Sequence, residues 1–389
     1  MFNYSFCFIY YSLIITIYIL HILTFPFIYG GFRMSFTELK RSEIKRYLLE
    51  KIDSDDPAFI AKTADSFGIS VTSVKRYIQT ECDLGNIMPS KSAECGYKLK
   101  FSRHTFRYSI AGLCEYDDLI FFDDVFPLLT GNDNSKNIWN YTLAEIFNNA
   151  IEHSEGSNIQ FKVDSCCLYN RITIADDGVG IFRKICDVLK TFGMKNPRPE
   201  DAVTELFIGK MTTLPDRHSG EGIFFTMHLL EKMAIVSDGI ILQSGFLGDT
   251  SLIKNRLLAY AMKFTKKGTV VIMQISNETK RNAKEIFNLF SDPDEGFYRT
   301  SIPVFKACLE RQPVSRSQAR RIYMRLNSFK EAILDFSDVE YMGQGFADEL
   351  FRVFQNAHPN VTLKPINMNE ETMLMYQYTI HNKVTVPRF

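Results

Sequence analysis

The stretch LAEIFNNAIEHS, residues 143–154, restricts the fold of this chain more than any other. Glu145, Asn149 and His153 recur every fourth residue. That spacing sets a carboxylate, a carboxamide and an imidazole along one stripe of a helix. Leu143, Ile146, Phe147 and Ala150 form an apolar face between them, which a sheet can cover. Two strand-like runs follow, NIQFKV and RITIA, before the turn Asp176-Asp177-Gly178-Val179-Gly180-Ile181. A second glycine pair, Gly220 and Gly222, stands in HSGEGI.

These residue types suit one kind of chemistry. A carboxamide oxygen is a hard, neutral ligand for one position of Mg²⁺, whose other positions go to phosphate oxygens and water. A Glu one turn earlier can orient or deprotonate a hydroxyl or water beside a terminal phosphate. A buried Asp accepts a hydrogen bond from an exocyclic amine, which adenine offers. Glycines let backbone amides approach anionic oxygens.

With these boxes in this order, the stretch resembles the GHKL ATP-binding fold of gyrase-type ATPases, MutL-type repair proteins, histidine kinases and anti-sigma-factor serine kinases. The resemblance implies ATP and Mg²⁺ as cofactors, with Asn149 as the magnesium ligand and Glu145 as the candidate catalytic base. It implies that Asp176 reads the adenine amine, that Gly178 and Gly180 shape its pocket, and that Gly220 and Gly222 face the phosphates. Thr269 corresponds to a phosphate-proximal hydroxyl, and residues 182–217 to a lid from which Lys210 or Arg217 can reach the terminal phosphate. His153 suits a packing or capping role beneath the site. Rival nucleotide motifs fail: Gly209-Lys210 lacks the rest of a P-loop, and GVGIFR has Arg183 where a dinucleotide fingerprint requires Gly.

A length of 389 residues suggests two or three domains. Residues 34–107 read as helix, helix, tight turn and helix, followed by a strand-turn-strand wing. Asp56 and Gly68 mark helix ends, and Pro57 suits a first turn. This resembles a winged helix-turn-helix, which implies DNA as a partner. Ser73, Lys75, Arg76 and Gln79, with Thr72, would stand on the recognition helix, and Lys98 on the wing with Lys91, Lys100 and Arg103. A small helical protein-interaction module is the other reading. The net charge is zero, so no chain-wide attraction to a polyanion is expected.

Residues 108–280 hold the nucleotide boxes. No helix pair bears a histidine in the autokinase pattern, so histidine autophosphorylation is disfavoured. Residues 290–389 alternate strand and helix, and LDFSDVEYMGQGFADELFRVF resembles the STAS fold, which implies a protein partner. Where sigma-regulating relatives carry a phosphorylatable Ser, this chain has Gly343-Gln344-Gly345, and Ser337 is expected to be structural. Arg316, Arg320 and Arg321 suit a phosphate, an acidic partner or solvent.

The expected architecture is therefore an α+β multidomain chain. It comprises a winged helix, a GHKL α/β sandwich with a mixed sheet and helices on one face, and a STAS-like α/β domain. Residues 1–33 are apolar, and residues 1–31 carry no formal charge. They can serve as a membrane anchor, with the basic residues from Arg33 onward holding the rest in the cytoplasm, or Met34 can be the start of the working protein. The eight cysteines show no CxxC spacing, which agrees with a reducing cytoplasm. The expected function is a cytoplasmic ATP-binding regulator coupling a GHKL nucleotide switch to DNA binding and to a STAS-like interaction domain. The alternatives are a serine/threonine kinase of anti-sigma type, or an ATPase in nucleic-acid transactions or phage defence.

Overall fold

The computed structural model describes residues 36–113, 123–211, 220–247 and 250–381. The apolar stretch 1–33 and Arg217 lie outside them. Among the described residues no helix is long and apolar enough to cross a membrane. The chain divides into two compact units, one up to Leu84 with Pro89–Lys98, the other from Gly85–Met88 and Leu99 onward.

In the first unit, α1 (Glu38–Asp53) starts at Thr37, whose hydroxyl accepts from the Lys40 amide, and buries Ile44, Leu48, Leu49 and Ile52. Helix α2 (Phe59–Phe67) ends at Gly68, whose φ of +61° is the left-handed cap that glycine adopts without strain. Asp56 accepts from the Ala58 amide at 3.0 Å just before it. Helix α3 (Val71–Asp83) is capped by Ser70 and buries Val74 and Ile78. Next along the chain, and not confined to that unit, come the paired strands β1 (Ile87–Pro89) and β2 (Tyr97–Leu99).

The second unit begins earlier than the sequence suggests. Strand β3 (Ser102–Ser109), most of which falls in the segment 34–107, pairs antiparallel along its length with β4 (Asn158–Ser165). Its alternation decides this: Phe106 and Tyr108 project towards the sheet's core, against Phe147 and Phe161 in the case of Tyr108. Strands β5 (Tyr169–Asp176), β6 (Lys232–Ser237), β7 (Ile240–Ser244) and β8 (Thr269–Ser276) complete a six-stranded sheet of order β3-β4-β5-β8-β6-β7. Every pairing in it is antiparallel, where a mixed sheet was expected.

Helix α4 (Asp133–His153) carries Trp139 and Phe147, both fully buried, onto this sheet, together with α5 (Ile181–Thr191), α6 (Pro199–Ile208) and α7 (Gly222–Leu229). Each such aromatic contributes roughly 2–3 kcal/mol through burial. The expectation of helices on one face is also corrected. Helix α8 (Thr250–Ala261) covers the opposite face, where Leu257 and Ala261 pack with Ala175, Ala234, Val236, Val270 and Ile272. Strand β8 is buried on both sides, as its continuous apolar run TVVIM requires.

Helix α9 (Ala283–Phe290) leads to the C-terminal module. There β9 (Arg299–Pro303), β10 (Glu331–Asp335) and β11 (Thr362–Ile366) form a parallel sheet in that order. Strand β9 stops at Pro303, after which Val304–Ala307 is helical. Helix α10 (Arg316–Tyr323) precedes β10, and α11 combines Gln344–Ala347, a π-helical stretch Asp348–Phe354 and Gln355–Ala357. Helix α12 (Glu370–His381) ends the described chain.

Candidate functional site

The stripe on α4 opens onto a cavity of about 320 Å³, within the range of small-molecule sites. Tyr141, Glu145, Asn149 and His153 line it at successive turns, and Asp176 at the end of β5 lines it with Thr269. The Asn149 carboxamide, half-buried, has no hydrogen-bond partner among the described residues.

Asp176 is held by its surroundings. Its Oδ1 accepts from the amides of Gly178 at 2.9 Å and Thr269 at 3.2 Å, while Oδ2 has no partner among the described residues. Burial pushes its carboxyl above the usual range, and the two amides pull against that shift. The next residue does different work. Asp177 ties down the turn before β4, accepting from the amides of Ser157 and Asn158 and from the Asn158 side chain. Burial raises its carboxyl, but those bonds outweigh it and hold it low.

Gly178 sits where a Cβ would fall 2.0 Å from the Ser154 carbonyl oxygen, so only glycine lets the turn meet the end of α4. Gly180, at φ +92°, begins α5 against Ser237. Neither lines the cavity wall; both set the turn that carries Asp176. The Thr269 hydroxyl accepts from the Ile181 amide at 3.0 Å, which places this residue beside Asp176. Gly220 and Gly222 both line the cavity. A Cβ on Gly222 would meet Glu145 Oε2 at 1.9 Å, so the carboxylate rests directly on the start of α7.

Lys210 is placed differently from the expectation. Its ammonium donates to the Ser328 carbonyl at 3.0 Å and lies 4.5 Å from the Phe329 ring centre, away from the cavity lining. Burial lowers its pKa, against the pull of Glu221.

Tyr141, Lys184 and Glu221 also line the cavity, and the sequence reading missed them. Tyr141 extends the four-residue stripe by one turn, which was the available signal. Its hydroxyl is raised by burial and by the nearby Glu145 and Glu221 carboxylates. Lys184 is paired with Glu155 at 2.7 Å. The described wall thus carries three carboxylates, from Glu145, Asp176 and Glu221, against one already paired lysine. A polyphosphate entering here would need a divalent cation. No cluster of three His, Cys, Asp or Glu side chains among the described residues can hold a metal alone, so ligand oxygens would have to complete its shell. The Asn149 amide fits that shared role.

On α3, Lys75 and Arg76 are exposed and make no ion pair among the described residues. Gln79 donates to Asp83 at 2.7 Å, Ser73 shares a hydrogen bond with Ser70, and Lys98 donates to Ser92.

In the C-terminal module the Ser337 hydroxyl donates to Asp335 at 2.8 Å, closing a local turn. Its arginines are engaged: Arg320 with Glu349 at 2.8 Å, Arg321 with Asp201 at 2.9 Å, and Arg316 near Asp348 at 3.8 Å. Residues 318–373 match the family model of a STAS-like domain of unknown function (DUF4325). The C-terminal module is therefore a STAS-like domain. No curated protein matches the chain.

Proposed function

We propose that this chain is a GHKL-type ATP-binding regulator, in which nucleotide occupancy biases DNA binding by a winged helix-turn-helix and partner binding by the STAS-like domain. One observation carries the nucleotide reading: two acceptor groups with no hydrogen-bond partner among the described residues, the Asn149 carboxamide and Asp176 Oδ2, belong to a single cavity. Asp176 would accept the adenine amine, with Oδ1 already fixed by two amides. Asn149 Oδ1 would hold Mg²⁺ jointly with the phosphates, and the bound ion would offset charge between those phosphates and Glu145 and Glu221. Gly220 and Gly222 let the backbone approach the phosphates. Lys75 and Arg76, without an ion pair among the described residues, support the DNA reading, at the level of phosphate contacts.

Calorimetry of the purified chain with ATP and GTP, each with and without Mg²⁺, tests this. ATP uptake should require Mg²⁺, GTP should bind at least about tenfold more weakly, and Asn149→Ala should remove the metal dependence. Absence of adenine-nucleotide uptake by the wild type would sink the reading.

The position of Glu145 on the start of α7 favours a second reading, phosphoryl transfer. The hydroxyl oxygen of an acceptor would attack the terminal phosphorus, its proton passing to Glu145 while the bridging P–O bond breaks and ADP leaves. A protein acceptor makes the chain a serine/threonine kinase, and water makes it an ATPase. Following labelled phosphate into protein or into solution separates them, and Glu145→Ala should abolish both.

A further inference from the structure

Helix α6 is buried from Asp201 through Ile208, and two different parts of the molecule cover it. Leu206, together with Met211 beyond the helix, lines the cavity. The opposite side is gripped turn by turn by the STAS-like domain and the residues leading into it. Arg321 lies 2.9 Å from Asp201, and Thr204 donates to the Ala307 carbonyl at 3.0 Å. Arg325 lies 3.2 Å from Glu205, and Thr300 donates to the Ile208 carbonyl at 2.6 Å.

Arg325 goes furthest. One Nη1 reaches both Glu205 Oε2 and the Met211 sulfur, while Nη2 donates to the Lys210 carbonyl at 2.5 Å. A single planar guanidinium thus spans the helix and the strand of chain that forms the cavity wall. Lys210, in a left-handed conformation at φ +57°, is held from the other side by its ammonium on Ser328. A lysine at position 325 could face Glu205 but could not hold three partners in one plane.

From this geometry we infer that Arg325 is a positioning residue for the nucleotide site: it fixes the Leu206–Met211 wall, so the STAS-like domain sets how tightly the cavity holds its ligand. The inference rests on the ATP reading above and deepens it. It also supplies a physical route by which a partner engaging the STAS-like domain near α10 would alter nucleotide affinity, and nucleotide would alter partner affinity to the same degree.

The experiment compares the full chain with its Arg325→Ala, Arg325→Lys and Glu205→Gln variants, measuring Mg²⁺-ATP affinity and the melting midpoint of each. Arg325→Lys should melt close to the wild type yet bind ATP about tenfold more weakly, because the ion pair survives and the grip on Lys210 and Met211 does not. Glu205→Gln, which alters one partner but leaves the guanidinium on Lys210 and Met211, should weaken binding less than Arg325→Lys does. Should Arg325→Ala fail to fold, the paired change Arg325→Met with Glu205→Leu removes the buried charges together and carries the same affinity prediction. Wild-type affinity in folded Arg325→Lys and in a folded variant lacking the guanidinium overturns the inference while leaving the ATP reading intact. A wild type that takes up no ATP overturns both.

Discussion

Two glycines, one beside the cavity and one lining it, look alike in sequence and differ in what a methyl group would disturb. At Gly178 the added carbon would meet the Ser154 carbonyl, a backbone atom that the Val179 amide also bonds at 2.8 Å. Backbone cannot move aside without undoing the turn, so Gly178→Ala should lower stability by about 1–3 kcal/mol and loosen Asp176 with it. At Gly222 the same carbon would meet the end of the Glu145 side chain, which can rotate away. Gly222→Ala should therefore keep the wild-type melting midpoint and lose whatever phosphate chemistry Glu145 performs. Thermal melts beside turnover or transfer assays separate the two, and equal midpoints for both variants would refute the distinction.

Elements differed in how much of them the residues announce. Helix α4 was legible because its polar stripe and apolar face repeat every three to four residues, and the structure keeps both. The antiparallel run of the sheet was not, since strand direction depends on connections that local periodicity does not encode. Helix α8 escaped notice because TSLIKNRLLAYA presents a weak apolar face, although the uninterrupted TVVIM of β8 already required cover on both sides. Lys210 was misplaced for another reason: its destination, the Ser328 carbonyl, lies far along the chain. The cavity stripe was local and readable, whereas the grip on α6 is long-range and was not.

Helices α6 and α7 also carry opposing pH responses. Burial raises the Glu205 carboxyl from its ordinary 4.5 to about 7, with Arg325 pulling it down and Asp201 pushing it up. The folded state then binds this proton more tightly than the unfolded chain, so stability falls as pH rises from about 4.5 to 7. His228 lies against the Phe224 and Phe290 rings, and burial with Arg281 lowers it from 6.5 to about 4, against its bond to the Phe224 carbonyl. Here the unfolded chain takes up the proton first, so stability falls as pH drops from 6.5 to 4. The windows overlap and the slopes oppose each other. Glu205→Gln should expose the histidine response, giving a stability loss towards acid of at most about 1.4 kcal/mol per pH unit that the wild type offsets. Denaturant melts across pH 4.5–6.5 measure it, and superimposable profiles would refute it.

For the whole molecule, a net charge of zero means that any DNA affinity would have to come from local cations, with Lys75 and Arg76 on α3 making no ion pair among the described residues. Each phosphate contact contributes about 0.9 to the slope of log affinity against log salt, so Lys75→Ala with Arg76→Ala should flatten that slope by roughly 2. If nucleotide and DNA act on one conformational equilibrium, linkage adds a stricter demand. The factor by which saturating Mg²⁺-ATP changes affinity for duplex DNA must equal the factor by which saturating DNA changes affinity for ATP. Both can be measured on the full chain by anisotropy and calorimetry in one buffer. An unchanged DNA affinity under saturating ATP would leave two binding functions on one polypeptide with no switch between them. A matched factor would identify a regulator whose nucleotide site and DNA site share a single two-state element.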